Sequence, residues 1–288
     1  MITHVAAAGE GRGRVLMWLD GTAQPSRTAI DGALLIARAY QAEVESLFVE
    51  DPQLLDLAGH PFARTLSSHA DGWQALPREG LAREVHYLGA ALQRQVTQAA
   101  LHMEIPSRAR TMRDTPLRAV AQACAENGPW NVVVLGEPIG PHGAHRLAQT
   151  FAEVTDTTGV VVVGPVARRT QGPVLVALEQ VERLDPMLRA AERLAGITGH
   201  EVRLLLVGDR PDAVAWLDGE VRLALGDREG PAIETVLSVR SDMGPLIEAA
   251  RRHRGGFVLA QYGGQVVSRE TNLRPLASAL ECPLLLVR

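Results

Sequence analysis

Residues 14–30 read RVLMWLDGTAQPSRTAI and set the pattern for the whole chain. Apolar side chains fill Val15–Leu19, the first of the apolar runs that predict strands in this chain. An Asp-Gly-Thr turn follows at 20–22, and Ser26 is a residue type that commonly begins a helix. From there to Tyr40 apolar residues recur every three or four positions. The stretch therefore predicts a strand, a turn and an amphipathic helix.

The alternation of apolar runs and helical patterns continues along the first half of the chain. Strands alternating with helices predict right-handed βαβ crossovers and a parallel sheet. Further strands are expected at 44–49, 108–112, 132–135 and 160–163, with helices at 81–103 and 117–125.

The same pattern then starts again, because PVLVAL at 173–178 repeats the role of RVLMWL at 14–19. We therefore predict an α/β fold of two tandem open parallel-sheet units, residues 1–166 and 172–288. The first unit would carry a helical insertion at about 51–106, which the second compresses into 209–234. Strands of the second unit are expected at 202–207, 235–239, 257–260 and 283–287, and helices at 185–196, 245–252 and 273–280.

Composition excludes several classes of function. The 288 residues carry a net charge of −4, which gives no reason to expect nucleic acid as a partner. All 29 basic residues are Arg, so P-loop and Schiff-base lysines are excluded. Two isolated cysteines make neither a disulfide framework nor a zinc site. With no signal-peptide core and no long apolar run, the expectation is a cytoplasmic protein without a membrane partner.

The first half resembles the universal stress protein (UspA-like) family. The similarity rests on RVLMWLDGTAQPSRTAI, LFVED at 47–51, VVVLGEPIG from Val132 and VVVVGP at 160–165. The second half is similar through PVLVAL, LLLVGD and ECPLLLVR. The order of these motifs spans nearly the whole chain and indicates the tandem, two-domain form of the family.

The resemblance implies an open five-stranded sheet that often binds ATP at the carboxyl ends of its strands. Members commonly dimerise through their last strands. In a tandem chain the strands at 160–163 and 284–287 should therefore meet across a pseudo-two-fold axis. The chain would be a monomeric pseudo-dimer, or a homodimer of such units.

The family's nucleotide motif contains two glycines, then a third glycine before Ser or Thr, and this chain matches it only in part. The last glycine is replaced by Gln149, Pro138 and Pro141 remove backbone donors, and Glu137 adds negative charge. The alternatives are ATP or another adenine nucleotide, with magnesium only as its counterion, or a degenerate loop without ligand. By resemblance, the nucleotide-binding residues would be Asp20, Thr22, Val49, Gly136, Gly140 and Thr150. Arg146 lies in or just after the loop and would add a side-chain donor for an anion, as would His142 and His145.

The second half lacks phosphate-loop spacing, and Glu179 stands where Asp20 stands in the first. Its expected role is structural. The chain as a whole is predicted to be a non-catalytic regulatory module that binds nucleotide in the first unit only. The alternative is a ligand-free structural or protein-interaction module. Weak ATPase activity is the most that the family resemblance would allow.

Two other features carry weaker hypotheses. His142 and His145 have the spacing HxxH, which can contribute to a metal site. No cysteine or acidic cluster beyond Glu137 is near them in the sequence, so we expect solvated loop histidines and no metal. The segment LLDLAGHPFARTL at 54–66 has enough apolar character to pack as a helical flap over the sheet. The alternative for this segment is a lid or a docking surface for an unknown protein partner.

Overall fold

The computed structural model describes residues 13–19, 24–66, 73–126, 130–136, 154, 156–226, 230–239, 242–268 and 273–288. Its strands are β1 (Arg14–Leu19), β2 (Glu43–Val49), β3 (Arg64–Leu66), β4 (Trp73–Ala75), β5 (Ser107–Met112), β6 (Asn131–Gly136), β7 (Gly159–Val163), β8 (Val174–Leu178), β9 (Val202–Gly208), β10 (Ala232–Leu237), β11 (Phe257–Gln261) and β12 (Leu284–Val287). Its helices are α1 (Arg27–Ala39), α2 (Pro52–Ala58), α3 (Arg78–His102), α4 (Pro116–Ala125), α5 (Leu184–Thr198), α6 (Pro211–Leu225), α7 (Gly244–Arg252) and α8 (Arg274–Ala279).

One ten-stranded sheet runs through the molecule in the order β10-β9-β8-β11-β12-β7-β6-β1-β2-β5. Each half contributes five parallel strands, wound in the same order. The halves meet where β7 and β12 pair antiparallel, with Val161 opposite Leu285 and Val160 opposite Leu286. The predicted α/β fold is confirmed, and so is the predicted meeting of these two strands. The exact unit boundaries, 1–166 and 172–288, stay a prediction.

Helices cover both faces of the sheet. One apolar core lies under α1, α3, α5 and α6, and the other lies under α4, α7 and α8. Alternate side chains of β1 enter different cores, with Met17 in the first and Leu16 in the second. Helix α1 packs against α5 across the junction of the halves, so the first core is continuous between them.

The first helix starts where the sequence predicts. The side chain of Ser26 accepts a hydrogen bond from the backbone N–H of Ala29 at 3.1 Å, as an N-cap residue does. Its apolar stripe, which includes Ile30 and Leu34, is buried against the sheet.

The region between β2 and β5 differs from the predicted helical flap. It holds the short helix α2, a hairpin of β3 and β4, and then the long helix α3. Leu55 is buried, but Leu54, Leu57 and Phe62 are 44%, 58% and 90% exposed, so the expectation that these residues pack together was wrong. Helix α2 contacts α3 and buries Leu55 and Ala58, and its other apolar side chains are left exposed.

The second half departs from expectation at two places. Strand β10 begins at Ala232, three residues before the predicted start at Thr235. It is an edge strand whose side chains are mostly exposed or half-buried, so its first residues form no apolar run from which the start could be predicted. The stretch 209–234 contains the fifteen-residue helix α6. This helix holds the same place as α3, so both halves link their second and third sheet strands through a helix. Among the helices that the structure describes, none combines the length and the apolar content needed to span a bilayer.

Candidate functional site

The chain changes winding direction between β1 and β6. From β1 it proceeds to β2 and β5 on one side, and β6 and β7 then lie on the other side. In open α/β sheets, ligands bind in the crevice beyond the carboxyl ends of the two strands at such a switch point. Trp18 is opposite Leu135 in the β1–β6 register, so Leu19 and Gly136 end side by side. The candidate crevice is therefore located by topology alone.

The structure places two of the predicted nucleotide residues at this edge. Val49 ends β2, next to β1, and is 3% exposed. Gly136 ends β6 opposite Val163 of β7. The other residues predicted to bind nucleotide lie outside the part of the chain that the structure describes, so their assignment stays a prediction. They are Asp20, Thr22, Gly140, Arg146 and Thr150, and His142 and His145 lie outside it as well.

A buried carboxylate next to Val49 was not predicted as part of the site. Glu50 is 7% exposed and accepts hydrogen bonds from Nε and Nη2 of Arg113, at 3.2 and 2.8 Å. His86 of α3 brings Nδ1 to 3.6 Å from the other carboxylate oxygen. Arg113 thus neutralises Glu50 at the rim of the crevice. The available signal was that Glu50 and Arg113 each directly follow a strand, β2 and β5, that are neighbours in the sheet.

The next residue connects this edge to the inserted region. Asp51 caps α2, with its carboxylate accepting from the backbone N–H of Gln53 at 2.9 Å. Val49, Glu50 and Asp51 therefore link the candidate crevice, the Arg113 ion pair and the start of the insertion within three consecutive residues.

The equivalent crevice in the second half lies beyond β8 and β11, and Glu179 closes it. Its carboxylate accepts hydrogen bonds from the backbone N–H groups of Gln265 and Val266, the latter at 3.2 Å. The loop that carries these donors is turned by Gly263, which has a φ of 87° that favours glycine. A Cβ atom on Gly264 would lie 2.6 Å from a Glu179 oxygen, so a side chain at this position would push the carboxylate away from the loop.

Backbone N–H groups on a turn of this kind can bind an anion, and in the second half that anion is the Glu179 carboxylate. Burial raises the pKa of the Glu179 carboxyl above its usual range, and the two amide hydrogen bonds act in the opposite direction. The sequence showed that Glu179 stands at the position of Asp20, but it did not show that the side chain bonds to its own loop.

The cysteines offer no nucleophile to this edge. Cys124 and Cys282 are buried, and desolvation raises the pKa of each thiol to about 12. Among the described residues no group of three or more His, Cys, Asp or Glu side chains is placed to hold a metal ion.

Comparisons with solved structures agree with this topology, whereas no family model and no curated protein matches the chain. A universal stress protein from Archaeoglobus fulgidus superposes with a TM-score of 0.66 at 14% identity, over 96% of this chain and 97% of that one. A putative universal stress protein from Pseudomonas aeruginosa gives 0.59 at 13% identity, over 96% and 93%. The cytoplasmic domain of a prokaryotic cation chloride cotransporter gives 0.52 at 10% identity, over 96% and 95%.

These matches extend over both halves of the chain, and their low identity establishes the fold alone. The predicted resemblance is therefore confirmed at the level of structure: this chain has the universal stress protein fold, with two units of it joined through β7 and β12.

Proposed function

We propose that this chain is a non-catalytic regulatory module that binds an adenine nucleotide in its first half only. The observation that carries the proposal is the difference between the two crevices. In the second half, the carboxylate of Glu179 already occupies the loop amides of Gln265 and Val266. An anionic ligand would have to displace it, at the cost of leaving a half-buried carboxylate without its donors.

The first half has a shorter acid at the same position. Asp20 has one methylene less than Glu179, so it is the shorter acid at the equivalent position of the sequence. The segment that follows β6 carries Arg146, a side chain suited to phosphate, and it keeps in part the phosphate-loop spacing that the second half lacks. Together these differences favour an external anion at the first crevice and an internal one at the second.

Ligand binding at this edge would act on the insertion through chain connectivity. A nucleotide that contacts Val49 would shift the neighbouring Glu50, which Arg113 holds at 2.8 Å. Asp51 would pass that shift to the start of α2, which it caps. The surface that the insertion presents to a partner would then differ between the nucleotide-bound and nucleotide-free protein. This requires that nucleotide binds the shifted conformation more tightly than the unshifted one.

The competing function is a ligand-free interaction module, and one observation favours it. Leu57, Phe62 and Trp73 expose 58%, 90% and 70% of their surface in the insertion, as at protein-binding patches. This module would ignore nucleotide and keep the same insertion surface in every state.

The first experiment is the melting temperature with and without millimolar ATP, ADP or AMP plus magnesium. A ligand at a hundredfold excess over its dissociation constant stabilises the native state by about 2.7 kcal/mol. We expect a rise in the wild type that Asp20→Ala and Gly140→Val each abolish. The matched control is Glu179→Ala at the equivalent position of the second half, which should keep the rise. No rise with any nucleotide, or a rise that Glu179→Ala alone removes, would contradict binding in the first half.

The non-catalytic part of the proposal has its own measurement. Incubation with ATP and magnesium should release no phosphate beyond the rate without protein. Release that grows in proportion to protein concentration and is lost in Asp20→Ala would instead assign ATP hydrolysis to the first crevice.

A further inference from the structure

A second concave site lies at the junction of the halves, at the opposite ends of the strands that form the nucleotide crevice. It is a cavity of about 170 Å³ beneath the first turns of α5 and the last turn of α1. Its lining takes Gly13–Val15 from the start of β1 and Gly159 from the start of β7, and it takes Gln261 and Val287 from the ends of β11 and β12. Both halves therefore build it, and about 15–20 Å of strand separates it from the first crevice.

The floor of the cavity is apolar. Its size compares with the engineered apolar cavity of about 150 Å³ that binds benzene. The volume therefore suits one aromatic ring or a short branched chain. The side chains that form this floor are Val15, Ile36, Val132, Met187 and Leu285, with the aromatic rings of Tyr40 and Trp130 beside them.

The mouth of the cavity is positively charged. Arg183, Arg189 and Arg193 line it from α5 and the turn before it, and among the described lining residues none carries a carboxylate side chain. Arg193 stacks over the ring of Tyr40 at 5.3 Å, which leaves its guanidinium edge for another partner. The carboxylate of Asp185 lies 3.6 Å from Arg189 and is 82% exposed, so water screens that pair strongly.

The two ends of the β7–β12 junction differ in how they are filled. At the far end, the connection between the halves packs Ala167 into the core, where its carbonyl accepts from Thr28 Oγ1 at 3.1 Å. A Cβ atom added to Gly32 of α1 would lie 3.2 Å from the Pro283 ring there, so the two elements approach closely. The chain passes from one half to the other at this end alone. At the other end, where β7 begins and β12 ends, the corresponding place is the cavity.

We propose that this junction cavity binds a small organic anion, an aromatic or branched-chain monocarboxylate about the size of benzoate. The apolar body lies on the floor, and the carboxylate lies at the mouth between Arg189 and Arg193. Guanidinium groups favour carboxylates through paired charge-assisted hydrogen bonds, and the enclosed floor favours a ring over water. The site is independent of the nucleotide crevice.

The test uses the full chain and 4-fluorobenzoate, followed by fluorine NMR line broadening and by calorimetric titration. We expect saturable binding at one site, at least tenfold tighter than that of 4-fluorobenzyl alcohol, which has the same ring without the charge. Arg193→Gln and Arg189→Gln should each weaken binding several-fold, and Ala190→Phe should abolish it by filling the cavity.

Arg222→Gln is the matched control. Arg222 pairs with Asp218, four residues earlier in α6, at 2.8 Å, as Arg189 pairs with Asp185 in α5. It should leave the affinity unchanged, and saturating ATP should not displace the benzoate. Circular dichroism and the melting temperature confirm that each variant folds. Absence of saturable binding, equal affinity for the alcohol, an equal loss in Arg222→Gln, or displacement by ATP would each overturn the proposal.

Discussion

At the scale of single residues, a buried ion pair stands out in the first half. Arg14 and Glu45 expose 2% and 0% of their surface and bond to each other, between the starts of β1 and β2. Arg14 also donates to the carbonyl of Ala123, and Glu45 accepts from Arg108 of β5. A charge buried this deeply is tolerated because its partners replace the lost water.

Glu45→Gln should be strongly destabilising, because it leaves the Arg14 guanidinium buried without a counter-charge. We expect the free energy of unfolding to fall by about 3–5 kcal/mol, measured by urea denaturation. The control is Glu126→Gln, which removes the exposed partner of Arg110 and should cost less than about 1 kcal/mol. Similar losses in the two variants would contradict the difference in burial.

The two thiols give a second residue-scale prediction. Desolvation raises the pKa of Cys124 and Cys282 to about 12, so almost no thiolate exists at pH 8, and the thiolate is the reactive form. In the native state neither thiol should react with a chromogenic disulfide reagent over an hour, and both should react within minutes in denaturing urea. Rapid reaction of one thiol per native chain would show that the structure around that cysteine opens readily.

At the scale of elements, two helical glycines of opposite environment allow a matched test of packing. Gly89 of α3 lies against β2, where an added Cβ would come within 2.5 Å of the Phe48 ring. Gly219 of α6 is exposed, and an added Cβ would meet no atom within 4 Å. Gly89→Ala should lower the free energy of unfolding by about 1–3 kcal/mol, since it forces α3 off the sheet. Gly219→Ala should raise it by about 0.5–1 kcal/mol through helix propensity. Equal effects of the two substitutions would mean that α3 packs differently against β2.

Elements buried on both faces were also those that the sequence predicted well. Strands such as β1 and β7 are continuous apolar runs, and their predicted and observed bounds differ by at most one residue. The hairpin of β3 and β4 was missed because its strands have three residues and Trp73–Ala75 are all exposed, which leaves no burial pattern to read.

The candidate site was predictable in position but not in its contacts. The switch point follows from strand order, and the family resemblance selected Val49 and Gly136 at that edge. The ion pair of Glu50 with Arg113 and the closure of the second crevice by Glu179 join residues more than 60 positions apart. Such pairings depend on which side chains the finished sheet brings together, and spacing along the chain carries no record of them.

At the scale of the whole molecule, the junction makes the two halves share one core. Val161 of β7 is opposite Leu285 of β12, and α1 packs on α5. The apolar cluster on that face joins Val161 and Leu34 of the first half to Leu194 of the second without interruption. A cluster shared in this way should couple the unfolding of the two halves, since separating them exposes apolar surface on both.

Leu194→Ala therefore should destabilise the first half as well as the second. Leu194 is fully buried, and its truncation is expected to lower the free energy of unfolding by about 2–5 kcal/mol. Of the four tryptophans only Trp216 lies in the second half, and it is 62% exposed, so in Trp216→Phe all tryptophan fluorescence comes from residues of the first half. In that background Leu194→Ala should move the urea midpoint seen by fluorescence as far as the one seen by circular dichroism. An unchanged fluorescence midpoint with a shifted dichroism curve would mean that the halves unfold separately, and that the pairing of β7 with β12 joins them without making them one cooperative unit.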